Sequence, residues 1–76
     1  MKYILTVLDP YNQIEIEFFN NKAELLKFLK KEKWVLLNTV NLTNIEQYTN
    51  KEAEFIAIKA DELGRRSEAY LRAVEG

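Results

Sequence analysis

Residues 34 to 40 (WVLLNTV) constrain the fold more than any other segment, because apolar side chains occupy both of its sides. Successive side chains of a strand point to opposite faces, so Trp34 lies on one face and Val35 and Leu37 on the other. A strand of this kind needs cover on both faces. The chain has 76 residues, and a domain of that size leaves much of its surface exposed. What covers the second face is therefore the question that the sequence poses.

The start of the chain predicts a β-hairpin. Residues 2–8 read as a strand, and residues 9–12 (DPYN) are typical of a turn. Residues 13–19 alternate between polar and apolar side chains, as in a strand with one buried face. We expect Glu15 and Glu17 to lie in water beside lysines of a neighbouring strand. The side that we expect to face the core has three apolar residues: Ile14, Ile16 and Phe18.

A first helix is predicted to begin after Asn21 and to run to about residue 32. Asn21 is a good N-cap, and Glu24 three residues later completes an approximate capping box. The apolar stripe of this helix has four residues: Leu25, Leu26, Phe28 and Leu29.

Two further strands are expected, at residues 34–40 and 51–59. Residues 41–50 leave two alternatives open. They form either a short helical turn that buries Ile45 and Tyr48, or a short edge strand.

Residues 61–75 predict a C-terminal helix that begins with an aspartate N-cap. Glu62 precedes Arg66 by four positions, and Glu68 precedes Arg72 in the same way, which is the spacing of ion pairs along a helix. The side chains that recur at helical spacing form one stripe: Leu63, Ser67, Tyr70, Leu71 and Val74.

The predicted fold is a single two-layer α+β domain that spans residues 1–76, with the element order β-β-α-β-β-α. A helical crossover leaves the third strand parallel to the second, so the third can pair antiparallel with the first. We therefore expect a mixed, mostly antiparallel sheet with the first and third strands at its centre and the second at an edge. The helices lie either on opposite faces or together on one face, and short connections favour one face. In that arrangement the reverse face is left to a second molecule.

The sequence lacks the residues on which most catalytic sites depend. It contains no histidine and no cysteine, which excludes Ser-His and Cys-His pairs and thiolate-held metals. Its two glycines exclude a glycine-rich phosphate loop. Glu15 and Glu17 have a spacing that suits a carboxylate pair or a hard cation, but a solvated strand edge accounts for them better. We therefore expect no enzymatic activity, no cofactor and no metal site.

The surplus of apolar residues favours a protein-interaction domain, such as an adaptor, a regulatory subunit or a phage-type inhibitor. Hydrophobic residues make up 47% of the chain. Aliphatic side chains mixed with charges are typical of an interface, and a symmetric dimer is the commonest closed assembly. We expect a homo-oligomer, a protein partner or both. The candidate surface combines a sheet face with the C-terminal helix: Ile4, Leu8, Glu15, Glu17, Trp34, Tyr70, Leu71 and Val74.

The alternative function is binding of single-stranded nucleic acid, with Trp34 and Tyr70 as stacking aromatics. The net charge of −1 weakens the electrostatic contribution to such binding. The helix dipole and pairing with glutamates also explain much of the basic clustering. The candidate contacts are basic: Lys27, Lys30, Lys31, Lys33, Arg65 and Arg66.

Composition also bears on origin and location. Asparagine, lysine and isoleucine are abundant, a bias typical of AT-rich genomes such as those of low-GC bacteria and their phages. The lack of cysteine is typical of a cytoplasmic protein. The apolar run before Asp9 is too short for a membrane span and lacks the cleavage pattern of a signal peptide, so we expect no membrane association.

Overall fold

A computed structural model describes residues 2–40, 42 and 52–75, and its strands form one antiparallel sheet with a helix packed on one face. The strands lie in the order β2-β1-β5-β4-β3, so β5 is central. The described residues therefore form an α+β fold of two layers. Its elements, in chain order, are β1 (Lys2–Leu8), β2 (Ile14–Phe19), α1 (Lys22–Lys31), β3 (Val35–Leu36), β4 (Glu54–Ala60) and β5 (Arg66–Val74).

The predicted N-terminal hairpin is confirmed, and its turn is held by one aspartate. Oδ1 of Asp9 accepts hydrogen bonds from the backbone N–H groups of Tyr11 and Gln13, both at 2.8 Å. Asn12 has a φ of 63°, a left-handed conformation that asparagine tolerates better than most residues. The hairpin leaves β2 at an edge of the described sheet, as predicted.

The predicted first helix is also confirmed, and both of its ends are capped. The side chain of Asn21 accepts a hydrogen bond from the N–H of Glu24 at 2.9 Å, and the Glu24 carboxylate accepts one from the N–H of the residue before Asn21 at 3.0 Å. At the other end, the N–H of Trp34 donates to the carbonyl of Leu29 at 2.9 Å, while Lys33 has a φ of 60°. This is a Schellman motif with lysine where glycine is usual.

The predicted helix at residues 61–75 is wrong, because its greater part is strand β5. Asp61 closes a turn instead of capping a helix: its Oδ1 accepts hydrogen bonds from the N–H groups of Leu63 and Arg65, both at 2.9 Å. Gly64, at a φ of 79°, completes this turn. β5 pairs with β1 on one side and β4 on the other, and that pairing outweighs local helix propensity. Its buried side has three residues: Ala69, Leu71 and Ala73.

The third strand is shorter than predicted, and it lies at an edge of the sheet and not at the predicted central position beside β1. β3 pairs with β4 at the edge of the sheet, and β5 occupies the place beside β1. All four described pairings are antiparallel, so the predicted mixed sheet is corrected as well. Trp34 and Val40, at the two ends of the apolar segment 34–40, lie outside the strands, and both side chains pack against the hydrophobic core.

The two alternatives for residues 41–50 fall outside the described residues, with one exception. Leu42 is described, and its side chain is buried in the core.

Helix α1 covers one face of the sheet, called here the helix face. The rings of Phe19 and Phe28, with centroids 5.2 Å apart, join β2 to α1. A register shift in β4 allows both Ile56 and Ala57 to be buried. The core between the helix and the sheet consists of Tyr3, Leu5, Phe19, Leu25, Leu29, Leu42, Ile56, Ala57, Ala69, Leu71 and Ala73.

The predicted orientation of β2 is wrong. Phe19 pairs with Tyr3 and is buried with it on the helix face, and residues at alternate positions, Glu15 and Glu17, share that face. Burying the Phe19 ring against α1 therefore fixes which side of β2 points outward. The three apolar residues that were expected in the core are exposed on the opposite face: Ile14 (65%), Ile16 (53%) and Phe18 (73%).

Candidate functional site

The face of the sheet opposite α1, called here the open face, receives apolar side chains from all five strands. Pairing partners in an antiparallel sheet share a face, so the register defines its members. They are Lys2, Ile4, Thr6 and Leu8 of β1, Ile14, Ile16 and Phe18 of β2, Val35 of β3, Phe55, Ile58 and Ala60 of β4, and Arg66, Glu68, Tyr70, Arg72 and Val74 of β5.

Aromatic and aliphatic side chains form rows across this face. The row through the middle joins Ile16, Thr6, Tyr70 and Phe55. The rings of Phe55 and Tyr70 stack with centroids 5.3 Å apart and planes inclined by 30°. Since α1 lies on the other side of the sheet, these side chains are half-buried or exposed. The open face is therefore a contiguous and partly exposed apolar surface.

Charged side chains lie along the central strand of the open face. Arg66, Glu68 and Arg72 alternate in sign around Tyr70 along β5. The cross-strand neighbours of Glu68 are Leu8 and Ile58, which leave its carboxylate unpaired within the sheet. Among the described residues, neither Glu68 nor Arg72 forms an ion pair. These charges are therefore available to a partner.

A second feature is the acidic row of β2 on the helix face. The register places Glu15 opposite Val7 and Glu17 opposite Leu5, so the lysines expected beside them are not there. Both glutamates are exposed. They lie at a cleft of about 190 Å³, called here the acidic cleft, which is lined by Val7, Asp9, Glu15, Glu17, Phe28, Glu32, Trp34, Lys59 and Ser67.

One lysine lies among the acidic groups of this cleft. Nζ of Lys59 is 3.8 Å from the Glu32 carboxylate and 5.7 Å from the centre of the Trp34 ring. The Lys59–Glu32 pair is long and partly exposed, so it contributes little to stability. Nε1 of Trp34 is buried and has no hydrogen-bond partner in the described structure. The cleft therefore keeps an excess of negative charge beside an aromatic wall.

The structure distributes the predicted interaction residues over different surfaces. Four of them lie on the open face: Ile4, Leu8, Tyr70 and Val74. Leu71 is fully buried in the core, Trp34 is half-buried, and Glu15 and Glu17 lie on the helix face. The sequence pattern does not identify the apolar row of β2 as part of this surface, because it predicts that Ile14, Ile16 and Phe18 face the core. The adjacent Phe18 and Phe19 fit either orientation of the strand, and only the pairing with β1 decides between them.

The residues proposed for nucleic-acid binding do not converge on one groove. Lys27, Lys30, Lys31 and Lys33 are exposed in and just after α1, on the helix side of the sheet. Arg66 and Tyr70 lie on the open face. Arg65 lies in the turn before β5, where Nε donates to Oδ2 of Asp61 at 2.9 Å and the guanidinium lies 4.9 Å from the centre of the Tyr11 ring.

The described residues contain no group of three or more carboxylates arranged to hold a metal ion. No helix in the described ranges is long and apolar enough to cross a membrane. No protein-family model, curated protein or solved structure matches this chain.

Proposed function

We propose that the chain is a non-catalytic protein-interaction domain that forms a homodimer through its open face. The observation that supports this proposal most is the exposed apolar row of β2. Isoleucines and a phenylalanine at these exposures are unusual on a surface that meets only water, and here they continue the half-buried residues of β1 and β5. The predicted C-terminal helix has no part in this proposal, because it does not form.

The area of the open face approaches that of a small dimer interface. Its four long strands, about 4.8 Å apart and about six residues long at about 3.4 Å per residue, give a flat footprint of about 400 Å². Protruding side chains expose more area than a flat footprint. The face therefore approaches the roughly 600–1,000 Å² per partner that specific interfaces bury.

The charges on β5 favour one orientation of the second copy. A two-fold axis that crosses the strands at Tyr70 places Glu68 of one protomer against Arg72 of its partner, and the same pair forms again by symmetry. An axis along β5 would bring Glu68 against Glu68 and Arg72 against Arg72. Since like charges oppose the second arrangement, we propose the first. Two such sheets pack face to face with their strands inclined by about 30°.

The test is sedimentation velocity over a wide concentration range with a charge-exchange series. Glu68→Arg replaces two attractions of about 0.5 kcal/mol with two similar repulsions, so the dissociation constant should rise roughly 30-fold. Arg72→Glu should do the same, and the double variant should restore most of the affinity. Lys27→Glu, on the exposed surface of α1, is the control and should leave the affinity unchanged.

Two results would overturn the proposal. One is a wild-type protein that stays monomeric at every accessible concentration. The other is a double variant that dimerises no better than either single variant.

A further inference from the structure

We infer that the free edge of β2 binds an extended polypeptide segment in which basic and apolar residues alternate. Among the described strands, β2 pairs with β1 alone. An edge strand presents a row of unpaired backbone N–H and C=O groups, which another strand can extend by hydrogen bonding.

The two faces of β2 specify the side chains of the added strand. Glu15 and Glu17 point to the helix face, and Ile14, Ile16 and Phe18 point to the open face. Directly opposite residues on neighbouring antiparallel strands have Cβ atoms about 5 Å apart and interact in pairs. A bound strand therefore places every second side chain beside a carboxylate and the intervening ones beside an apolar residue.

The carboxylates of this edge lack partners inside the described part of the chain. Glu15 and Glu17 lie opposite Val7 and Leu5, and neither forms a described ion pair. Beyond them, the acidic cleft adds further carboxylates and the Trp34 ring. A lysine or arginine on a strand beside β2 lies next to Glu15 and Glu17, at the β2 side of this cleft. The ammonium or guanidinium group then meets the negative charge of these two carboxylates.

A second copy of β2 does not fit this edge. Two antiparallel β2 strands that meet edge to edge are related by an axis perpendicular to the sheet, which keeps both helix faces on one side. Glu15 of one copy would then lie beside Glu17 of the other, with no basic residue in either strand to separate them. The charge that repels a second β2 attracts a basic segment.

This edge is distinct from the surface proposed for dimerisation. Extension of β2 continues the sheet sideways and leaves the open face free to pack, so both contacts can exist together. Binding at the edge therefore does not depend on the dimer. The Arg72→Glu variant, whose dimer should be roughly 30-fold weaker, separates the two proposals when it is studied at a concentration below its dissociation constant.

The probe is a short fluorescent peptide that alternates lysine and valine, titrated into the full chain and followed by anisotropy. Three peptides serve as controls: one with glutamate in place of lysine, one with all lysines before all valines, and one with alternate backbone amides methylated. We expect binding by the alternating lysine peptide and loss of binding in all three controls. Amide chemical-shift changes should fall along β2, both in the wild type and in Arg72→Glu.

The matched protein variants remove two carboxylates each. Glu15→Gln with Glu17→Gln should raise the dissociation constant about fivefold to twentyfold. Glu62→Gln with Glu75→Gln, both exposed and away from β2, should change it less than twofold. Equal effects of the two double variants, equal binding of the block peptide, or shift changes confined to α1 or β3 would each overturn the inference. If the wild type binds the peptide and Arg72→Glu does not, then binding at the β2 edge depends on the dimer, which contradicts the independence of the two contacts.

Discussion

Two adjacent phenylalanines of β2 test the orientation of the strand that creates the open face. Phe19 is 8% exposed and packs against the Phe28 ring, whereas Phe18 is 73% exposed on the opposite side. The alternation in the sequence predicts the reverse, with Phe18 in the core. Truncation of each ring to alanine removes the same atoms from neighbouring positions of one strand. Each of the two substitutions therefore serves as the matched control for the other.

The expected losses of stability differ several-fold. A buried phenylalanine contributes about 150–250 Å² of apolar burial, and truncation to alanine in a core costs about 3–5 kcal/mol. Phe18 buries only about a quarter of its surface in the monomer, so Phe18→Ala should cost about 1 kcal/mol. At concentrations where the dimer forms, Phe18→Ala should also weaken association, because its ring lies in the proposed interface.

Urea unfolding measures both effects, with the fluorescence of the single tryptophan as the probe. The free energy of unfolding is compared at a concentration below dimerisation and at one above it. The cost of Phe18→Ala should rise with protein concentration more than that of Phe19→Ala. Equal costs for the two variants, or a larger cost for Phe18→Ala at low concentration, would refute the orientation of β2 and with it the open face.

Two further substitutions test the turns that end α1 and begin β5. Lys33→Gly should stabilise the fold by about 0.5–1 kcal/mol, because glycine adopts the left-handed conformation of this position without the penalty of a Cβ. Lys27→Gly, at an exposed position in the middle of α1, should destabilise it by about 1 kcal/mol, and the same sign for both in thermal unfolding would contradict the Schellman motif. Asp61→Ala removes the acceptor of two backbone hydrogen bonds, so it should lower the free energy of unfolding in urea by about 1–2 kcal/mol. Glu62→Ala, at the next position, is the control and should lower it by less than about 0.5 kcal/mol. Equal losses would mean that Asp61 does not hold the turn.

The hairpin and α1 are predictable from sequence because their determinants are local. Asp9 closes its turn through bonds to residues two and four positions away, and Asn21 caps α1 through a bond to a residue three positions away. Each of these contacts can be inferred from residue types at short spacing.

Strand β5 was not predictable in the same way, because its signals have two meanings. Asp61 is equally suited to an N-cap and to the turn that it forms with Gly64 at positive φ. Glu68 and Arg72 have the spacing of a helical ion pair, yet along a strand they share a face and lie too far apart to pair. Pairing with β1 and β4, both distant in sequence, decides the outcome.

The open face was predictable only in part for the same reason. The sequence predicts Ile4 and Leu8 of β1 on the candidate surface, and both lie half-buried on the open face. For β2 the alternation predicts the wrong side, because the pattern in residues 13–19 does not show which neighbouring element fixes the orientation of the strand. Tyr3 and α1 supply that information through Phe19.

Isotope-filtered NOE spectroscopy on a mixture of labelled and unlabelled chains tests most directly whether the open faces pack against each other. The filter selects contacts between different protomers. The account predicts intermolecular NOEs from the Tyr70 ring to Tyr70 and Thr6 of the partner, between the Ile16 methyl groups of the two copies, and from the Ile14 methyl groups to the Phe18 ring of the partner. No intermolecular NOEs at high concentration, or NOEs that arise from Leu26 on the outer surface of α1 instead, would contradict it.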